Sequence, residues 1–453
     1  MSGEGVGTAR SAIEAVWRIE SARLIGGLVR IVHDLALAED LAQEALLAAM
    51  EHWPSTGIPG NPGAWLMTTA RNRAVDQARR RQMQAGKHQE LALRSSEPSS
   101  GVPDLAAAID EDLGDDLLRL ILIACHPVLS TEARAALTLR LLGGLTTAEI
   151  ARAFLASEPT IAQRIARAKR TLAEARVPFE VPRGGELSAR LSSVLEVLYL
   201  VFNEGYSATK GNRWTRPELC EEALRLGRIL AERFPREAEV HGLLALMELQ
   251  ASRLRARVGP SGEPVLLLDQ DRSRWDQLLV HRGLAALARA ETLCQPLGPC
   301  TLQAAIAGAH SRARTAAETD WPRIVALYDA LSQLTGSPVV ELNRAVAVSF
   351  AFGAAAGLEL VDALADEPAL ASYHLLPSVR GDLLLRLGRR GEARMELERA
   401  ASLAQNAWEK ALLLGRARAS LGATSPGRTG ESGGDAAAAP SSTPGLASEP
   451  PRR

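Results

Sequence analysis

The chain predicts an all-α protein: two small helical domains, a long helical array and a disordered tail. Three observations carry that expectation. Alanine, leucine, arginine and glutamate abound while only 4% of residues are aromatic, a composition that favours helix over sheet. Apolar residues recur at three- and four-residue spacing through residues 11–83, 113–177 and 187–420. Between and after these stretches lie segments without periodicity: residues 84–112 with "RSSEPSSGVPD", the break "VPFEVPRGG", and the tail 421–453.

Composition bounds the function. A chain of 453 residues has room for two to four domains, and 52 Lys+Arg against 53 Asp+Glu means that any nucleic-acid site must be local. Cys125, Cys220, Cys294 and Cys300 form no CxxC pair and read as reduced, mostly core thiols. The opening "MSGEGVGTARSAIEAVW" lacks a basic and an apolar leader segment, and no later run is long enough to cross a bilayer, so a cytoplasmic location is expected. No phosphate loop and no nucleophile–base pair is visible. An enzyme, a resident metal and a cofactor are therefore not expected.

The first domain opens with "LALAEDLAQEALLAAMEHW", a helix with Glu39, Asp40, Gln43 and Glu44 on one side and Leu41, Ala45 and Ala48 on the other. By residue chemistry alone that acidic side is a solvated face. The loop "PSTGIPGNPG", with its three prolines, leads into a second helix over 64–81. There Met67, Ala70, Ala74 and Ala78 form a small-residue packing face. Trp65, Thr69, Asn72, Arg73, Asp76, Arg79 and Arg80 share the other face. An aromatic among amides and arginines suits unstacked bases, the ring stacking while cations hold the backbone. The alternative makes Trp65 a helix-end anchor under the proline loop.

The second domain, 113–177, contains "GGLTTAEIARAFLASEPTIAQRIARAKRTL" (143–172). Thr146 or Thr147 caps a first helix with Glu149 in its first turn. Ser157 caps the next, with Pro159 where a missing N–H costs nothing. Ile161, Ile165, Ala168 and Leu172 fall in one arc and pack inward, which leaves Thr160, Gln163, Arg167 and Arg170 opposite and Arg164 on the flank. A polar, cationic second helix after a tight turn is a helix-turn-helix of the size that enters a major groove. A helical hairpin with a solvated charged face is the plainer alternative.

"AEDLAQEALLAAMEHW…PGAWLMTTARNRAVDQARRR" resembles region 2 of sigma-70-family factors of the extracytoplasmic-function (ECF) type. "LSTEARAALTLRLLGGLTTAEIARAFLASEPTIAQRIARAKRTL" resembles their region 4. The likeness covers roughly the first 180 residues. The remainder is similar to the tetratricopeptide-like, DUF6596-type extension of one ECF subgroup, including "GEPVLLLDQDRSRWD", "SPVVELNRAVAVS" and "YHLLPSVRGDLLLRLGR". The resemblance implies that Asp40, Gln43 and Glu44 meet the clamp helices of the RNA polymerase β′ subunit, with the β flap as a further core contact. It implies that the 54–62 loop and the helix bearing Trp65, Asn72, Arg73, Asp76, Arg79 and Arg80 capture and melt the minus-ten element. Thr160, Gln163, Arg164 and Arg167 would read the minus-thirty-five element, with Lys169 and Arg170 on phosphates. A small YCII-like (DGPF) protein, or a small ligand, is implied as a partner of the extension. One departure concerns the start of the recognition helix. Where the family often has Ser-x-Gly-Thr-Val, this chain has Ser157-Glu158-Pro159-Thr160-Ile161, and Glu158 puts a carboxylate near the phosphates.

Residues 187–420 read as paired amphipathic helices, a TPR-like α-solenoid with a concave face for a partner. Gly388 and Ala400 are expected at close helix crossings. Gly259–Arg274 interrupts the pattern. Its Glu263, Asp269 and Asp271 could hold a metal or, salt-bridged to Arg272 and Arg274, shape a structural loop. His241, His281, His310 and His374 sit singly and read as packed or surface histidines. The leading function is an ECF sigma factor regulated by its own extension. The alternative is a helix-turn-helix activator with a TPR-like sensor and no role on the polymerase core.

Overall fold

A computed structural model of the chain describes residues 3–90, 113–154, 156–207 and 215–420. The expected linker beyond Glu90 and the expected tail lie outside the described residues. The chain divides into two compact units, Met1–Val197 and Leu198–Arg453. Among the described residues the regular elements are eighteen α-helices and short 3-10 turns.

The first unit holds α1 (Gly3–Val32), α2 (Leu35–Thr56), α3 (Pro62–Glu90), α4 (Leu113–Ala124), α5 (Thr131–Leu141), α6 (Thr147–Phe154), α7 (Glu158–Glu174) and most of α8 (Gly185–Tyr206). Asp34 starts α2, its carboxylate accepting from the Leu37 N–H at 2.9 Å. The helix α3 carries on to Glu90, into the stretch expected as linker, because "RRQMQAGKHQE" consists largely of good helix formers. The centre of the unit is α1, which packs on α2, α3 and α4. Two of its glycines permit that approach. A Cβ on Gly26 would stand 2.9 Å from the Asp116 carbonyl of α4, and one on Gly27 would stand 2.7 Å from the Met67 methyl of α3. Beside them the buried Asp116 carboxylate joins Arg30 of α1 at 3.1 Å and Arg119 at 2.8 Å. The first turns of α8 also belong here. Arg134 of α5 reaches Glu196 at 3.0 Å, and Arg190 sends a guanidinium N–H to the Leu122 carbonyl at 3.4 Å.

The second unit continues with α9 (Pro217–Arg233), α10 (Ala238–Ala251), α11 (Gln277–Leu293), α12 (Pro299–Arg312), α13 (Trp321–Thr335), α14 (Pro338–Ala351), α15 (Ala354–Ala363), α16 (Leu375–Arg386), α17 (Arg390–Leu403) and α18 (Ala407–Ala419). Each helix packs on its successor in sequence, and α10 also packs on α12. Gly388 does not serve a helix crossing: it adopts a φ of +76° with open space around it, and so turns the chain between α16 and α17. The crossing is made by Gly381, where a Cβ would stand 2.9 Å from the Leu397 side chain. Residues 252–276 form a structural loop in which Arg272 and Arg274 are seated on backbone carbonyls. Arg272 donates to the carbonyls of His310 and Ala313 at 2.5 and 2.6 Å, and Arg274 donates to the Arg255 carbonyl at 2.6 Å. Asp271 caps Ser273, and Glu263 accepts from the Ser261 N–H.

Candidate nucleic-acid interface

The helix-turn-helix is built by its caps. Thr146 and Glu149 form a capping box: the Glu149 N–H donates to the Thr146 hydroxyl at 3.1 Å, and the Thr146 N–H donates back to the Glu149 carboxylate at 2.8 Å. Partial burial alone would raise the Glu149 pKa, but the two Thr146 donors and the nearby Arg18 and Arg152 bring it below its ordinary value. Ser157 caps α7 by accepting from the Thr160 N–H at 3.3 Å, with Pro159 in the first turn. Ile161, Ile165, Ala168 and Leu172 are buried. Thr160, Gln163, Arg167 and Arg170 are exposed and Arg164 is half-buried, so α7 turns a polar, cationic face outward. With Ser130 and Glu132 at the start of α5, Thr160, Gln163, Arg164 and Arg167 line an open groove. Glu158 is exposed at the entrance of α7.

The other candidate surface lies on α2 and α3. Asp40 and Glu44 are exposed one turn apart, and Gln43 is half-buried between them. Arg73 crosses from α3 to Glu44 at 3.0 Å, so a residue expected on DNA meets one expected on polymerase. Asn72, Asp76 and Arg79 are exposed on α3, while the side chain of Arg80 lies outside the described residues. Trp65 is half-buried and edge-on to the buried Trp53, with ring centroids 5.3 Å apart. That contact anchors one side of the indole and leaves part of it open to solvent.

Two site residues are drawn into the unit's interior. Glu39, on the acidic side of α2, is 3% exposed, whereas its neighbour Asp40 faces solvent. Its carboxylate receives Arg140 of α5 at 2.7 Å, the Gln43 amide at 2.8 Å, and the Lys169 ammonium of α7. Burial alone would raise the Glu39 pKa; Lys169 first and Arg140 second, by charge and hydrogen bond, bring it below its ordinary value. Lys169 therefore points at α2 and away from the exposed face of α7. A second, exposed tie joins Arg18 of α1 to Glu149 at 3.2 Å. The importance of Glu39 was not visible in sequence, because its partners lie 101 and 130 positions away.

Comparison with known proteins places these elements. The sigma-70 region 2 model matches residues 19–83, which hold the C-terminal part of α1, all of α2 and most of α3. The sigma-70 region 4 model matches residues 119–172, ending in α7. A family of unknown function, DUF6596, matches residues 190–291. An uncharacterized protein of Rhizobium meliloti (strain 1021) is 43% identical over 394 residues, 86% of this chain and 91% of its own length. The ECF RNA polymerase sigma factor SigL of Mycobacterium tuberculosis is 33% identical over 170 residues, 37% of this chain and 91% of its own length. The chain belongs to the ECF group of the sigma-70 family. SigK of Mycobacterium bovis (strain BCG / Pasteur 1173P2) is likewise 33% identical over 157 residues, 33% of this chain and 78% of its own length. The present sigma factor carries regions 2 and 4, and beyond them it has a further helical unit. RNA polymerase core and promoter DNA are the partners of the family, which is not an enzyme class. No helix among the described residues is long and apolar enough to cross a membrane.

Proposed function

We propose that this sigma factor, working in the cytoplasm, docks on the polymerase β′ clamp through Asp40, Gln43 and Glu44 and contacts the β flap through region 4. Thr160, Gln163, Arg164 and Arg167 read the minus-thirty-five element and Arg170 holds a phosphate, with Lys169 joining it once released from Glu39. Trp65, Asn72, Arg73, Asp76, Arg79 and Arg80 act on the minus-ten element. The observation that carries this reading is the division of α7: four apolar residues buried, and a Thr/Gln/Arg face exposed beside the N-terminus of α5.

Geometry adds a step. The two promoter elements are separated by about twenty-five base pairs, roughly 85 Å at 3.4 Å per pair. Helices α2 and α7 here share one carboxylate, Glu39, so regions 2 and 4 must part before both elements are bound. The arrangement described is thus a closed form of the sigma factor. The second unit, read as TPR-like, governs the passage from closed to open, in response to a small ligand or a YCII-like protein.

Run-off transcription with purified core polymerase tests the central claim. Reversing Asp40 and Glu44 together to Lys keeps good helix formers at both positions and turns an attractive surface repulsive. The double variant is expected to lose co-purification with core and all promoter-dependent transcript, with an unchanged circular dichroism spectrum. Normal core affinity would remove the docking assignment.

A further inference from the structure

Inside the second unit α10, α12, α13 and α14 enclose a cavity of about 50 Å³. One water needs about 10–15 Å³ on this measure, so the space accepts a group of roughly four water-sized parts. The sequence at its mouth, "ELQASRLRARV", looks like the wet end of an amphipathic helix. The helix α10 stops at Ala251, however, and with the 3-10 turn over Leu254–Ala256 the chain folds Arg253 and Arg257 inward, while Arg255 stays exposed. Gln250, Arg253 and Arg257 thereby line the cavity, facing His310 from α12.

Arg253 is 8% exposed, and its guanidinium stands 5.8 Å from the rings of both Tyr206 and Trp275. The ionisable groups around it are Tyr206, Arg257, Tyr328, Arg272 and His310; no carboxylate is among them. Arg257 lies 3.8 Å over the Tyr206 ring. His310 is 1% exposed, and neither of its ring nitrogens has a hydrogen-bond partner among the described residues. The side-chain oxygen of Gln250, at 6% exposure, is in the same state. Burial first, and the Arg253 and Arg272 cations second, hold the His310 pKa down at about 3, so the ring is neutral and offers one N–H. A cation buried without an anion is strongly disfavoured, and buried polar atoms normally find partners. Guanidinium donors are shaped to grip planar or tetrahedral oxyanions.

We propose that this cavity is a binding site for a small oxyanion, a carboxylate- or phosphate-bearing metabolite, gripped by Arg253 and by the His310 N–H. Gln250 accepts a hydroxyl or ammonium hydrogen of the same molecule. The cavity thereby gives a chemical class to the ligand of the second unit, and its occupancy is measured without polymerase or DNA. That separates its fate from the promoter-recognition reading.

Calorimetric titration of the full chain tests it. Inorganic phosphate and malonate are added in separate runs, each against potassium chloride at equal ionic strength. One-to-one binding of at least one oxyanion is expected, with no response to chloride. Phosphate alone marks a phosphate ester as the natural ligand, and malonate alone marks a carboxylic acid. R253M is expected to lose at least tenfold in affinity while the unliganded variant melts no lower than the parent, because an uncompensated buried cation has been removed. H310F, which keeps a ring against Trp321, is expected to weaken binding as well. No oxyanion response above chloride, undiminished binding in both variants, or a lower melting temperature of unliganded R253M would overturn the site.

Discussion

One buried charge of the first unit is Glu39, and Arg140, Lys169 and Gln43 converge on it; one of the second is Arg253, which no carboxylate approaches among the described residues. Both sites take an ion out of water, and they differ in where the compensation comes from. Around Glu39 it comes from the chain itself, from helices far apart in sequence, so the charge selects one arrangement of regions 2 and 4. Around Arg253 the rings of Tyr206 and Trp275 offer relief, which leaves the guanidinium donors for a molecule from outside. A satisfied buried charge acts as a latch, whereas an unsatisfied one acts as a receptor.

The strongest way to break this comparison is to remove the anion of the latch. Glu39→Gln leaves Arg140 and Lys169 half-buried and facing each other, and breaking a buried pair costs roughly 3–5 kcal/mol, the lower end applying to partners that keep some solvent. Amide hydrogen exchange in α5 and α7 of the full chain is expected to speed up by about a hundredfold, each 1.4 kcal/mol being a factor of ten. Exchange at the parent rate would mean that Glu39 does not hold the closed form.

Acid sharpens the same point. The folded pKa of Glu39 lies below its ordinary value of 4.5, so its contribution is fully present above that value and is lost as pH falls through the lowered folded pKa. Protection of α7, corrected for intrinsic exchange, is expected to hold from pH 7 to about 5 and to fall in more acidic buffer. The Glu39→Gln variant should show no corresponding step.

Smaller effects divide the recognition face from the latch. Arg167→Ala is expected to relax base preference by ~1–3 kcal/mol across a panel of minus-thirty-five variants, while Lys169→Met should leave preference intact and lower the salt slope by about one. Equal loss of selectivity in both variants would put Lys169 on the bases. Trp65→Ala should lower transcription from closed promoters by roughly 1–3 kcal/mol in effective barrier and spare templates pre-melted at the minus-ten position. Equal losses on both templates would reduce Trp65 to a packing residue against Trp53.

Much of this was legible in sequence, for local reasons. Ser157, Pro159 and the four apolar positions of α7 define the recognition helix within a few turns of chain, and the acid-rich side of α2 is plain from its periodicity. What sequence left undecided depends on distant contact. Glu39 and Asp40 stand side by side in the acid-rich stretch of α2, and the arrival of α5 and α7 buries only one of them. Arg253 belongs to a helix that continues on paper and stops at Ala251 in fact, and the loop beyond it seats Arg272 on carbonyls at the C-terminal end of α12. His310 read as a packed or a surface histidine; it is packed, and its missing partners emerge only once α10 and α12 are side by side.

The Arg73–Glu44 bridge has a consequence of its own. If Glu44 turns to the basic clamp, it releases Arg73, and if Arg73 turns to a phosphate, it releases Glu44. Polymerase binding and DNA binding then help each other, and by thermodynamic reciprocity by the same factor. The bridge is exposed and worth about 0–1 kcal/mol, which caps that mutual assistance at roughly fivefold.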